Sequence, residues 1–264
     1  MDQYQVWIGT PTYGLSDLVR TMSIDARDIV NHLQGLDAKT LSERLQWLYE
    51  QVPADRLVLA SSLGAEDQVL THALLQVNPK VRIVVLDTGR LQDETYETIA
   101  ATEKRYDFRY EIFCPNTQAV ETMVRDYGIN SFYESLENRK RCCHIRKVEP
   151  LSRALSTADA WITGIRRGQS MERQGTPVLE WDDAHNALKL NPLVDWSQSD
   201  VWDYIHQQKI PYHPLHDQGY PSIGCAPCTR AIKEGESLRA GRWWWEADDQ
   251  KECGLHLHEK GKVS

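Results

Sequence analysis

The sequence lacks any apolar run approaching the ~20 residues needed to span a bilayer, which argues against a membrane-spanning helix anywhere in its 264 residues. Met1 to Gly14 has neither a basic segment nor an apolar stretch of secretory type, so the expected compartment is the cytoplasm. No internal repeat or low-complexity tract is present. An excess of positive charge is missing too: 30 Lys and Arg face 38 Asp and Glu, a formal net charge of -8. That balance argues against a nucleic-acid or anionic-membrane partner, although a local arginine cluster can still receive a small anion. Cysteine is sparse, with six in the chain, too few for a disulfide scaffold. In a compartment that keeps thiols reduced, their spacing reads as ligands or catalysis. No Lys-Ser/Thr pair follows the one loop that could hold a phosphate, so an ordinary Walker loop is excluded.

What is present is an alternating pattern. Residues 15–51 read as two helices, with helical spacing around Leu33 and from Leu41 to Leu48. Strands are expected at Arg56–Ser62, Val81–Asp87, Tyr110–Phe113 and Ala160–Gly164, with Leu188–Leu193 adding an edge strand. Helices are expected at Ala65–Val77, Gln92–Tyr106, Gln118–Tyr127 and Val148–Leu155, and after an N-cap at Ser197. Such alternation implies an α/β fold, a parallel twisted sheet flanked by helices. Beyond Pro211 the chain turns irregular and rich in Pro, Gly, Cys and Trp. Residues 1–247 are expected to form the domain and 248–264 a flexible polar tail.

Four cysteines fall into two pairs, Cys142-Cys143 and Cys225-x-x-Cys228. Two thiolates of a C-x-x-C pair converge readily on one metal centre, and four complete a zinc or iron–sulfur site. Adjacent cysteines have Cα atoms only ~3.8 Å apart, tight for two ligands of one tetrahedral ion. A cubane cluster offers each its own iron. Structural zinc and a redox disulfide between Cys225 and Cys228 are the alternatives. Arg139, Lys140, Arg141, Arg146 and Lys147 bracket the first pair and would offset the charge of a thiolate-bound cluster. Cys114 reads as a buried core thiol.

Ser61-Ser62-Leu63-Gly64-Ala65 sits where a strand hands over to a helix, where backbone N–H groups and the helix dipole favour an anion. Glu66 and Asp67 would repel that anion unless they point away. Leu86-Asp87-Thr88-Gly89-Arg90 and Thr163-Gly164-Ile165-Arg166-Arg167 end two further strands, and ligands of open parallel sheets bind outside such ends. Arg173 follows closely. Arg239 and Arg242, three apart, would share a helix face. Guanidinium forks suit phosphate and sulfate. The run Trp243-Trp244-Trp245 reads mainly as core packing.

Cys253, in Lys251-Glu252-Cys253-Gly254-Leu255-His256, lies in a polar tail where a core filler has no place. A nucleophile fits, because thiolate chemistry needs access and nearby cations.

Together SSLGAED, LDTGR, CC, TGIRRGQS, GCAPC and KECGLH, in this order over about 200 residues, resemble the assimilatory sulfonucleotide reductases. The likeness is to the iron–sulfur branch that reduces adenosine 5′-phosphosulfate (APS). The resemblance implies an adenine-nucleotide pyrophosphatase-like fold with a modified phosphate loop. It implies a 4Fe–4S cluster on Cys142, Cys143, Cys225 and Cys228, with Lys147 beside it. Ser61, Ser62 and Gly64 would contact the phosphosulfate, and Leu86, Thr88 and Gly164 the adenosine. Arg166, Arg173, Arg239, Arg242 and His256 would complete the anion pocket. Cys253 would be the catalytic thiol and thioredoxin the reductant. The 3′-phosphorylated substrate (PAPS), an adenylating enzyme of the same fold and a zinc-stabilised binding module are the rival readings. The sequence leaves a homo-oligomer open.

Overall fold

The structure is a computed structural model that describes Val30 and residues 35–247. Its elements in chain order are α1 (Leu41–Gln51), β1 (Leu57–Ser61), α2 (Ala65–Val77), β2 (Arg82–Leu86), α3 (Asp93–Tyr106), β3 (Glu111–Phe113) and α4 (Thr117–Tyr127). Then follow α5 (Leu136–Cys143), α6 (Glu149–Leu155), β4 (Ala160–Ile162), β5 (Leu179–Asp182), β6 (Ala187–Leu190) and α7 (Gln198–Gln208).

Side chains alternate across each strand, and here both faces are apolar. In β1, Leu57 and Leu59 point into the larger core while Val58 points into the smaller one. Ile83 and Val85 against Val84 repeat this in β2. Strands buried on both faces need helices on both, the mark of a parallel sheet. The six strands lie in the order β3-β2-β1-β4-β6-β5. All neighbouring pairs are parallel except β5 with β6. Leu45 and Leu48 of α1, Val69, Leu70 and Leu74 of α2, and Val201 and Ile205 of α7 bury the larger face. Leu151, Ala154 and Leu155 of α6 bury the other.

Local chemistry starts these helices where the sequence reading places them. Thr40 and Glu43 form a reciprocal capping box at α1, and Ser197 caps α7 with Asp200. Two expectations need correction. The strand near Leu188 is internal, and the sheet edge is β5, joined to it by a tight hairpin. Asp182 shapes that turn by accepting from the Ala184 N–H at 3.0 Å, and Asn186 takes a left-handed φ of 52°. The helix expected from Val148 begins earlier, since α5 runs through a π-helical segment, His144–Val148, into α6. Of the two helices expected over residues 15–51, the one around Leu33 lies, but for Val30, outside the described residues, as does the 248–264 tail.

Buried Arg44 clamps α1 to the segment that leads into α7. It is 1% exposed, donates to Asp195 at 2.8 and 2.7 Å, and satisfies the carbonyls of Leu36, Asp37 and Pro192. Removing one member of such a network strands the rest. Arg44→Ala is expected to cost about 3 kcal/mol, seen in urea titration as a lower midpoint at unchanged slope.

Candidate active site

β1 sits between β2 on one side and β4 on the other, so the chain leaves the middle of the sheet in opposite directions. Ligands of open α/β sheets bind at this switch point, beyond the carboxyl ends of the strands. A cleft of about 230 Å³ lies there. Ser61, Ser62 and Gly64 of the β1–α2 loop line it, with Leu86 from the end of β2 and Gly164 after β4. Arg166, Arg173, Arg239 and Arg242 form the cationic part of its wall.

The loop closes through its own side chains. Ser61 Oγ accepts from the Leu63 N–H at 3.1 Å, and Leu63, fully buried, adopts a left-handed φ of 62°. For a bulky residue that conformation is costly and persists only where packing holds it. The two acids of the loop line the cleft too, but with their carboxylates already engaged. Asp67 Oδ2 accepts from the Ser62 N–H at 2.6 Å and from Ser62 Oγ at 2.7 Å. Glu66 receives Arg166 at 2.7 Å and Gln169 at 3.0 Å. Gln169, which sequence reasoning passed over, also accepts from Arg173 at 2.5 Å. Gly164 is required here, because a Cβ would collide with the Asp67 carboxylate and come within 2.9 Å of Glu66 Cβ.

Arg239 and Arg242 reach the cleft from a turn rather than from a helix. An antiparallel bridge between Thr229 and Arg242 pins that turn to the C-x-x-C segment, reinforced by Arg230 N–H to Gly241 O at 3.0 Å. Gly224 admits the arginine, since a Cβ there would lie 2.6 Å from Arg242 Cζ.

Beside the cleft is a second, smaller cavity. Cys142, Cys143, Cys225 and Cys228 all line it, with Arg90, Arg146 and Lys147. Lys147 lines the cleft as well. No disulfide joins Cys225 to Cys228. Among the described residues no three His, Cys, Asp or Glu side chains gather closely enough to hold a metal ion. Thr88, expected at the adenosine, is fully buried with Oγ1 3.3 Å from Cys225 Sγ, and its carbonyl accepts from Arg146 at 2.6 Å. Burial pushes the Cys225 thiol up, but Lys147, Thr88 and the nearby arginines bring it below the ordinary thiol range. Burial and its thiol neighbours push Cys228 up to about 12.

Trp243 is 1% exposed and packs against Phe132 and Cys228, whereas Trp244 is 39% exposed, so the tryptophan run is core packing only in part. Of the cations around the first pair, Arg139 is consumed by Glu246 at 3.0 and 2.7 Å, and Arg141 pairs with Glu137 at 2.8 Å. Cys114 is exposed, not a core thiol; β3 before it is a short sheet-edge strand that leaves its end uncovered. Cys253 and His256 lie outside the described residues.

The model of the phosphoadenosine phosphosulfate reductase domain matches residues 56–231. The chain belongs to that family. The matched span of this reductase domain contains every cleft element except the Arg239–Arg242 turn. A protein named adenosine 5′-phosphosulfate reductase from Allochromatium vinosum is 52% identical over 78% of this chain and 80% of its own. The crystal structure of a phosphoadenylyl-sulfate reductase from Candida auris in a phosphate complex superposes with a TM-score of 0.62. It is 25% identical and covers 83% of this chain and 96% of that one. An FMN adenylyltransferase from Candida glabrata shares the fold at a TM-score of 0.52 and 17% identity, over 87% of this chain and 78% of its own.

Asp67 gives the reductase-domain loop a pH signature. Burial raises its pKa to about 6 against the bonds from Ser62, with Glu66 adding to the rise. The folded protein therefore keeps this proton to about pH 6, while the unfolded chain releases it near pH ~4. The group's contribution is most favourable below pH ~4 and is lost as pH rises through about 6. Asp67→Asn is expected to gain roughly 1–3 kcal/mol on the wild type between pH ~4 and ~7. Denaturant titrations of both proteins across that range check it; parallel curves would contradict it.

Proposed function

We propose that the chain reduces adenosine 5′-phosphosulfate to sulfite and AMP in sulfate assimilation, with thioredoxin as electron donor and the cytoplasm as its compartment. The observation that carries the reading is the adjacency of two cavities, an arginine-walled cleft at the switch point and a four-cysteine cavity, with Lys147 lining both. The relatives at about half identity are named for the non-3′-phosphorylated substrate, which favours APS over PAPS.

Ser61, Ser62 and Gly64 take the phosphosulfate on loop N–H and hydroxyl groups, and Leu86 and Gly164 take the adenosine. Arg166, Arg173, Arg239 and Arg242, with His256 from the tail, offset its charge. Thr88 stands with Leu86 and Gly164 on the adenosine side, and its hydroxyl also meets the neighbouring cysteine cavity. The segment 248–264 delivers Cys253. Its thiolate attacks the sulfur of APS; an S–S bond forms as the S–O bond to the phosphate breaks, and AMP leaves with that electron pair. A thioredoxin thiolate then attacks Cys253 Sγ and expels sulfite. The second thioredoxin thiol resolves the mixed disulfide and restores Cys253. Sulfur is reduced and the dithiol is oxidised to a disulfide.

The residues present fit a 4Fe–4S cluster. Four thiols line one cavity under a cationic rim, and adjacent cysteines suit the separate iron corners of a cubane better than one tetrahedral ion. Cys142, Cys143, Cys225 and Cys228 would hold the cluster. When bound, it supplies electrostatic tuning of the adjacent cleft.

The test is sulfite release by anaerobically purified protein with thioredoxin, offering APS and PAPS side by side. Release from APS alone is the expected result, and release preferring PAPS would overturn the substrate assignment. Cys253→Ser is expected to abolish release while AMP still binds. Cys228→Ala is expected to lose iron and acid-labile sulfide together; a colourless wild type containing zinc would sink the cluster.

A further inference from the structure

One buried acceptor in the cleft is unused by these roles. His216 lies in the short 3₁₀ turn Pro214–Gln218, between α7 and the C-x-x-C segment. The turn is tied down on both sides. His213, fully buried, accepts from the Leu215 N–H at 3.3 Å through Nδ1. Its Nε2 lies 3.0 Å from Thr95 Oγ1 of α3. Gly219 closes the turn at a φ of 84°. The His216 ring stands edge-on to Trp202 of α7 at 5.2 Å, and both residues line the cleft.

Hydrogen-bond chemistry fixes the tautomer. His216 Nδ1 lies 2.8 Å from the Tyr220 carbonyl, which can only accept, so Nδ1 carries the proton. Burial holds the imidazole below its usual range, against the pull of Glu66 and Asp217. At neutral pH the remaining atom, Nε2, is therefore a lone-pair acceptor. It is buried and has no hydrogen-bond partner among the described residues. An orphaned buried acceptor in a cleft wall calls for a donor that the ligand brings.

We propose that His216 Nε2 accepts a hydrogen bond from an N–H or O–H donor of the bound nucleotide, either the adenine amino group or a ribose hydroxyl, and so sets nucleotide specificity. The inference rests on the nucleotide reading above. A phosphate at the same place would bring only oxygens toward an acceptor whose nearest charged neighbours include the Glu66 carboxylate. If the donor is the ribose 3′-hydroxyl, His216 thereby disfavours the 3′-phosphorylated substrate.

The experiment is equilibrium binding of AMP, its 6-deamino analogue, 2′-deoxy-AMP and 3′-deoxy-AMP to wild type, His216→Phe and His216→Leu. Two variants are used so that a failure of either to fold leaves the test intact. One analogue is expected to bind the wild type about tenfold more weakly than AMP, and that penalty is expected to vanish in the variants. Equal penalties in wild type and variants would overturn the proposal while leaving the cleft a nucleotide site. Failure of AMP to bind the wild type at all would bring down the nucleotide reading, and this inference with it.

Discussion

Where β4 ends, Gly164 lies against the first turn of α2, and a side chain there would run into Glu66 and Asp67. That contact draws the phosphate loop and the arginine segment together across the switch point. With the loop on one side and Arg166 on the other, Glu66 can span the gap and bind Arg166 and Gln169 at once. Gln169 in turn holds Arg173. One missing Cβ thus fixes the spacing between the backbone N–H groups of one element and the guanidinium groups of another.

Two acids in an anion site look contradictory until their partners are counted. A buried guanidinium with no counter-charge costs several kcal/mol, of order 3–5 when a pair is broken, and Glu66 relieves Arg166 of that. Asp67 performs the equivalent service for the Ser62 N–H and hydroxyl, at the expense of its own solvation. On the proposed reading, an incoming phosphosulfate would compete with these internal carboxylates, and the gain it must offer is lower where the resident carboxylate holds its charge with difficulty. The raised pKa of Asp67 is the sign of that difficulty. The loop is satisfied when the ligand is away without being locked against it.

Much of this was legible in the sequence because local rules decide it. Strand and helix periods and the Ser197 cap depend on neighbours within four residues. The lining of the cleft by Ser61, Gly64, Gly164 and Arg166 followed from short motifs at strand ends, whereas Arg239 and Arg242 were expected on a helix face and come from a turn. What escaped depends on distant partners. The β5 edge strand is four residues long and exists through its pairing with β6. The helix over Leu136–Cys143 carries little apolar periodicity, being a charged run whose Arg139 is buried against Glu246 and Trp243, more than 100 positions away. The contact of the Thr88 hydroxyl with Cys225, 137 positions away, likewise has no local signal. His216 had the motif HPLHDQGY around it, which marks a turn and says nothing of which nitrogen faces a cleft.

The Arg139–Glu246 pair bears on how a tail thiol could serve a cleft that the rest of the fold builds. Arg139 is 1% exposed and Glu246 7%, and the guanidinium also stacks over Trp243 at 4.6 Å. These contacts hold the chain just before its tail against α5, the helix that ends in Cys142 and Cys143. Cys253 is then six residues beyond Ala247, a tether of at most ~20 Å. Trp243, three residues before Glu246, already lines the cleft. On the proposed mechanism, such an anchor limits how far the thiol can stray from the cleft wall and so raises its effective concentration there. Arg139 lies on the same helix as Cys142 and Cys143, so one packing arrangement both lines the cysteine cavity and holds Glu246, the residue just before Ala247.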